Sequence, residues 1–213
     1  MRGKYWRLMS FAAAAVCGAA VVSAQSTRIE DLGGGKILVA PRNCPDPRFA
    51  ETVILLVDYN EDGAAGLIIN GRTKVPVSIA LEEIKAAKGR QDPIYVGGPV
   101  EIAGVLGLLR SRAKPAAEAT HVFGDVYLVS SKPLLEQKLG ASAGPGEFRV
   151  YLGYSGWGPG QLENEVKLGG WYIFDGNAEV VFDSDPGSVW TRLIARVERQ
   201  VAEVRGTPRA ALR

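Results

Sequence analysis

Apolar positions along this chain fall mostly into short runs that read as strands. Val53-Ile54-Leu55-Leu56-Val57, inside residues 52–59, is unbroken and rich in β-branched side chains, the mark of a strand covered on both faces. The turn Glu61-Asp62-Gly63 follows and residues 64–69 return beside it, which predicts an antiparallel pair. Further strands are predicted at 36–40, 94–96, 105–109, 125–129, 147–154, 171–174 and 179–182. Residues 78–88 place Ile79, Leu81, Ile84 and Ala87 at helical spacing, with Ser78 as N-cap and Gly89 as stop. Residues 132–139, ended by Gly140, and 161–168 read as two more helices. The clearest helix is 188–205, where Val189, Trp190, Leu193, Ile194, Val197, Val201 and Val204 share a face before Gly206 and Pro208. Strands outnumber helices and do not alternate with them in βαβ order. The pattern predicts one compact α+β domain on a mixed, largely antiparallel sheet, barrel-like in its more curled form, flanked by helices.

The N-terminus follows a different pattern. Arg2, Lys4 and Arg7 precede residues 8–22, which carry no charge and are rich in Ala and Val. Val22-Ser23-Ala24 puts small residues where a signal peptidase reads, so 1–24 is expected to be a signal peptide cleaved before Gln25. The apolar stretch is short of the roughly 20 residues that a spanning helix needs. An uncleaved anchor, an organelle transit peptide and a start at Met9 are other readings of the same residues. With cleavage, roughly 190 residues remain, enough for one domain with a real core. They divide into a flexible mature N-terminus over 25–35, a domain over 36–206 and a tail over 207–213. Such a chain is expected to be exported, periplasmic or secreted, and to meet the membrane only through its signal.

Charge adds an exclusion. The chain holds 25 Lys and Arg against 23 Asp and Glu, and without Arg2, Lys4 and Arg7 the balance is 22 to 23. A near-neutral body has no general attraction to nucleic acid, and neither a helix-turn-helix nor a basic ribbon is evident. From Arg192 to Arg213 six Arg stand against Glu198 and Glu203. That segment reads as the solvated face of a terminal helix, or as a contact for an acidic partner or membrane surface. Cys44 is the only cysteine beyond the signal, so the mature chain forms no intrachain disulfide. It lies in Asn43-Cys44-Pro45-Asp46-Pro47 with Arg42 as its one activating neighbour, either an inert half-buried side chain or a free thiol.

The densest run of special residues is Gly153-Tyr154-Ser155-Gly156-Trp157-Gly158-Pro159-Gly160-Gln161-Leu162-Glu163. It reads as a strand ending in glycines, then a helix start. Glycines permit close backbone approach, Trp157 anchors the turn, Pro159 suits an early helical position, and Glu163 falls in the first turn. Four other runs accompany it: Leu38-Val39-Ala40-Pro41, Asp46-Pro47-Arg48-Phe49, Gly63-Ala64-Ala65-Gly66-Leu67-Ile68-Ile69-Asn70 and Tyr95-Val96-Gly97-Gly98-Pro99-Val100. Together they resemble, in order, the signatures of the YqgE/AlgH family, also called UPF0301. The spacing of Trp171, Phe182-Asp183 and Trp190 follows that family as well, so the resemblance covers residues 31–195. One turn departs from it: Asn70 is followed by Gly71 and Arg72, where the family has a basic residue and then Pro. The resemblance implies a compact α+β fold. It also implies a family labelled as transcriptional regulators, with no agreed biochemical activity and members that are usually cytoplasmic. A family match does not supply a mechanism.

Catalytic chemistry finds little footing. A G-x-S-x-G elbow fails at Gly153-Tyr154-Ser155-Gly156-Trp157, because Trp157 holds the last glycine position. The only histidine, His121, reads as a partly buried structural residue beside Val122-Phe123. One His and one mature Cys make a zinc site untenable. No G-x-x-x-x-G-K-[ST] occurs, and Gln161 stands where a dinucleotide fingerprint wants glycine. Glycines before a helix receive anions in other proteins, but Glu163 and Glu165 oppose that here. The expectation is a non-catalytic binding or regulatory module without metal or cofactor, serving a protein or small-molecule partner. Its candidate binding surface is Asn70, Gly97, Gly98, Pro99, Trp157, Gly160, Gln161 and Glu163, where strand ends meet a helix start. The same residues also read as folding determinants alone. The alternatives are a hydrolase-like enzyme using Ser155 or a carboxylate in the cleft of residues 153–163, and a DNA-binding regulator if the chain is not exported.

Overall fold

The computed structural model describes residues 27–115, 118–141 and 143–206 of the 213-residue chain. The signal peptide expected at 1–24 and the tail expected at 207–213 lie outside the described residues. The strands are β1 (Ile37–Val39), β2 (Val53–Asn60), β3 (Gly63–Ile68), β4 (Arg72–Pro76), β5 (Pro93–Val96), β6 (Val100–Arg110), β7 (Ala119–Phe123), β8 (Val126–Val129), β9 (Phe148–Trp157) and β10 (Tyr172–Phe174). The helices are α1 (Val77–Ala80), α2 (Lys132–Gly140), α3 (Gln161–Lys167), α4 (Ala178–Val181) and α5 (Val189–Gly206). Strands join in the order β10-β1-β2-β3-β9-β6-β8-β7, and β5 links β4 to β9. Every pairing is antiparallel except β5 with β9. This is the α+β domain that the apolar pattern predicts, its sheet curled into a half-barrel.

Side-chain alternation sorts the central strands into two cores. Ile37, Val39, Val53, Leu55 and Leu67 face one side, where Trp190, Ile194 and Val197 of α5 cover them. Leu38, Ile54, Leu56, Ile68 and Ile173 face the other, packed with Trp157, Leu162, Val166 and Trp171. Cover on both faces is why residues 53–57 are apolar without a break. A third cluster packs Leu134, Leu135 and Leu139 of α2 on Leu109, Val129, Phe148 and Val150. The curl brings Gly35 and Gly176, which flank β1 and β10, against Phe123 of β7. A Cβ at Gly176 would lie 2.3 Å from the Gly35 carbonyl oxygen, so the backbones meet there with no room for a side chain.

Several elements differ from expectation, each for a local reason. Residues 179–182 form the helical turn α4, not a strand. The Asn177 side chain accepts from the N–H groups of Glu179 (2.8 Å) and Val180 (3.3 Å), and that cap outweighs the strand-like Val180-Val181 pair. The helix expected over 78–88 is only α1 and a 3-10 turn at Lys85–Ala87, and Pro76 rather than Ser78 is the N-cap. The Val77 and Ser78 N–H groups bond back to the carbonyls of Asp92 and Arg90, which ties this segment to the entry of β5. β9 runs on to Trp157 instead of ending at 154, and β4 and β7 are strands that the apolar pattern does not mark. Of residues 25–35, expected to be flexible, Ile29–Asp31 form a 3-10 turn, Ile29 and Leu32 pack on the second core, and Gly35 N–H bonds Leu56 O.

One buried charge braces the fold. Arg149 of β9 is 3 % exposed. Its guanidinium donates to the carbonyls of Pro145 (2.9 Å), Val181 (2.8 Å) and Asp183 (2.5 Å) and lies over the rings of Tyr95 and Phe182. The link fastens β9 to the segment around α4.

Candidate functional site

The end of β9 and the start of α3 form one wall of a cleft of about 610 Å³. Gly160 makes the corner with φ +73°, a left-handed conformation that glycine takes without strain, and α3 begins at Gln161. Pro159 therefore stands outside the helix, before its N-cap, not within the first turn. The opposite wall is the proline loop, with Pro41, Asn43, Cys44, Pro45, Asp46, Arg48 and Phe49. Pro99, Val100 and residues 168–171 complete the lining. Three aromatic rings make the floor. Phe49 stacks on Trp157 at 6.5 Å, and Trp171 meets both edge-on at 5.9 and 6.1 Å. Trp157 and Trp171 are 6 % and 3 % exposed, so the floor is rigid and packed from below.

Glu165 is the polar centre of this wall. Its Oε2 accepts from the indole N–H groups of Trp157 (3.0 Å) and Trp171 (2.8 Å). Its Oε1 accepts from Gln161 Nε2 (3.0 Å), and Gln161 Oε1 in turn accepts from Gly158 N–H (3.1 Å). The last bond occupies an amide that an anion at the helix start would need. Across the cleft Arg48 is held by Asp46 through Nη2–Oδ2 at 2.7 Å, and its guanidinium lies 5.8 Å from the Phe49 ring centre. The Cys44 thiol donates to Asp46 O at 3.6 Å.

Of the eight residues expected to form a binding surface, the cleft gathers Pro99, Trp157 and Gln161, with Gly160 at its corner. The rest serve elsewhere. Asn70 bridges two segments, accepting from Val53 N–H (2.8 Å) and donating to Glu51 O (2.9 Å). Gly97 and Gly98 are buried where β3, β5 and β9 converge: Gly97 N–H donates to Leu152 O, and its carbonyl accepts from Ile68 N–H. Glu163 points to Tyr59, whose hydroxyl donates to it at 2.6 Å and pins α3 to β2. The residues that composition did not bring forward are Phe49, Glu165, Leu168 and Trp171. Phe49 stands in a signature run and Trp171 in the spacing that follows the family; Glu165 is one turn past Gln161, a spacing that puts both on one helix face.

The Tyr59 bond sets a pH dependence. The Glu163 carboxylate, with burial and its negative charge, pushes the Tyr59 phenol from its ordinary 10 up to about 12. A folded value above the unfolded one means that the tether's contribution is complete below pH 10 and lost as pH rises toward about 12. Ultraviolet titration of tyrosinate should show a late-ionising tyrosine that moves earlier in Glu163→Gln. No change in that variant would contradict the assignment.

The hydrolase constellation does not assemble. Ser155 is fully buried, with its hydroxyl donated to Gly97 O at 3.3 Å. His121, expected to be partly buried, is exposed on β7, with its Nε2 3.1 Å from Gly124 O. Two strands, β6 and β8, separate β7 from the β9 strand that carries Ser155. Among the described residues no group of His, Cys, Asp and Glu is placed to hold a metal.

A family model described as AlgH-like matches residues 37–202. The chain belongs to the AlgH-like family. A UPF0301 protein of Ruegeria pomeroyi is 36% identical over 160 residues, 73% of this chain and 86% of the relative. A UPF0301 protein of Streptomyces avermitilis is 32% identical over 182 residues, 82% and 91% of the two chains. The solution structure of the AlgH protein from Pseudomonas aeruginosa matches with a TM-score of 0.64 at 30% identity, covering 83% of this chain and 95% of that one. A crystal structure of a Corynebacterium diphtheriae protein shares the fold with a TM-score of 0.64 at 23% identity, covering 78% and 87%. The matched span holds the whole cleft, from Pro41 to Trp171, so the cleft lies within the AlgH-like domain.

Proposed function

We propose that this AlgH-like chain is a non-catalytic binding module and that its ligand seat is the cleft between the proline loop and α3. One observation carries the reading. Segments far apart in sequence, 41–49, 99–100, 156–165 and 168–171, converge on a preformed concavity with an aromatic floor and the polar side chains of Asn43, Asp46, Arg48, Gln161 and Glu165. Its volume, about 610 Å³, falls in the range of small-molecule sites. The one serine that the sequence offers as nucleophile is sealed in the core, which supports binding over hydrolysis. The signal-like residues 1–24 support a place of action outside the cytoplasm, and a mature N-terminus at Gln25 in an envelope fraction is the finding that would bear on it.

Cys44 gives the module a built-in reporter, because it lines the cleft and is the single cysteine of the described residues. A compound that raises the melting temperature of the full chain by filling the cleft should slow labelling of Cys44 by a thiol reagent. Stabilising compounds that leave the Cys44 labelling rate unchanged would place the seat elsewhere and overturn the proposal.

A further inference from the structure

The cleft carries an imbalance of charge. Its lining holds two carboxylates, Asp46 and Glu165, against one cation, Arg48. Asp46 and Arg48 answer each other, with three guanidinium-to-carboxylate bonds closed within the loop. Glu165 has no Lys or Arg partner among the described residues. Its donors are two neutral indoles and one neutral amide. Oε2 is used twice and Oε1 once, so Oε1 keeps accepting capacity. The same cleft lining offers apolar surface from Pro45, Phe49, Pro99, Val100 and Leu168, beside the neutral polar side chains of Asn43 and Gln161. Leu168 at the rim is 79 % exposed. The cleft already shows one cation against its aromatic surface, Arg48 over Phe49.

We infer that the cleft selects a positively charged organic group, an alkyl ammonium or guanidinium carried on an apolar body. The cation pairs with Glu165, and the body covers Phe49, Leu168 and the prolines. An anion of the same shape would meet an unanswered carboxylate; a small hydrated metal ion would leave the apolar walls uncovered. The inference rests on the reading of the cleft as the ligand seat and adds the chemistry of the ligand. The charged group comes either from a free amine or from a lysine or arginine side chain of a peptide.

The test uses the full chain and tryptophan fluorescence to measure the affinity of three matched probes: phenylpropylammonium, its alcohol and its carboxylate counterpart. The ammonium should bind about tenfold tighter than the carboxylate, with the alcohol between them. In Glu165→Gln, which keeps the side chain's shape and an oxygen for the indoles, the ratio should fall toward one. The wild-type preference should also shrink with added salt, which reads the same charge without a variant. A second arm compares butylammonium with a capped Leu-Lys-Leu tripeptide. Either order supports the inference; tighter peptide binding assigns the cation to a polypeptide, and tighter amine binding assigns it to a small molecule. Equal binding of all three matched probes overturns the charge preference and leaves the seat standing. A preference that survives Glu165→Gln or is indifferent to salt overturns it as well. No binding of any probe overturns both the preference and the seat.

Discussion

Arg149→Met should lower the unfolding free energy by about 3–5 kcal/mol in urea denaturation. The side chain is 3 % exposed and satisfies three carbonyls, those of Pro145, Val181 and Asp183. Methionine fills much of the volume but donates nothing, so buried acceptors lose their partners. Each such loss costs about 1–3 kcal/mol, partly offset because the charge no longer has to be desolvated. The neighbour Tyr151 is the internal contrast. It is fully buried, its hydroxyl has no hydrogen-bond partner of good geometry among the described residues, and burial pushes its phenol up, opposed only in part by the nearby Arg149 guanidinium. Tyr151→Phe should therefore be neutral or stabilising. A large loss in Tyr151→Phe, or a small one in Arg149→Met, would show that the polar balance of this core is misassigned.

The second large effect separates glycines that look alike in sequence. Gly98→Ala should cost about 3 kcal/mol or more, because its Cβ would lie 2.2 Å from the Tyr154 carbonyl carbon and 2.3 Å from Ser155 N. Gly97→Ala meets Gly153 O at 2.3 Å and should behave alike. These are backbone atoms at the junction of β3, β5 and β9, and relief would need the strands to part. Gly160→Ala meets nothing within 4 Å and carries only the strain of φ +73°, about 1 kcal/mol. Thermal or urea melts of the three variants check the ranking. A Gly160 variant as damaged as the Gly98 variant would contradict it.

These contrasts show what was legible in the sequence. The apolar run at 53–57 and the one-faced helix at 189–206 were plain, because burial on two faces or on one stripe leaves a direct periodic trace. β4 and β7 left no such trace: Thr73, Lys74, Thr120 and His121 put polar side chains on strands that hold their place by backbone pairing. α4 read as a strand because Val180-Val181 favours one, and the Asn177 cap decides otherwise. At the cleft, the glycine-rich runs pointed to Pro99, Trp157 and Gln161 of the lining but did not separate them from residues that only pack the backbone. Glycine signals a tight backbone whether the cause is a ligand or another strand, so Gly97 and Gly98 stood beside Pro99 with equal weight. Glu165 was hidden for a different reason. Its place depends on Trp157 and Trp171, which only the folded chain brings to one carboxylate.

Those two indoles also supply the most direct measurement of the cleft. The chain has four tryptophans, so their indole N–H signals in a proton–nitrogen correlation spectrum are few and separable. Trp157 and Trp171 line the cleft, while Trp190 bonds Ala40 O at 2.8 Å in the opposite core and serves as the control. Titration with phenylpropylammonium should move the Trp157 and Trp171 signals together and leave Trp190 in place. Movement of Trp190 alone, or of no indole at saturating probe, would contradict the assignment of the cleft as the ligand seat.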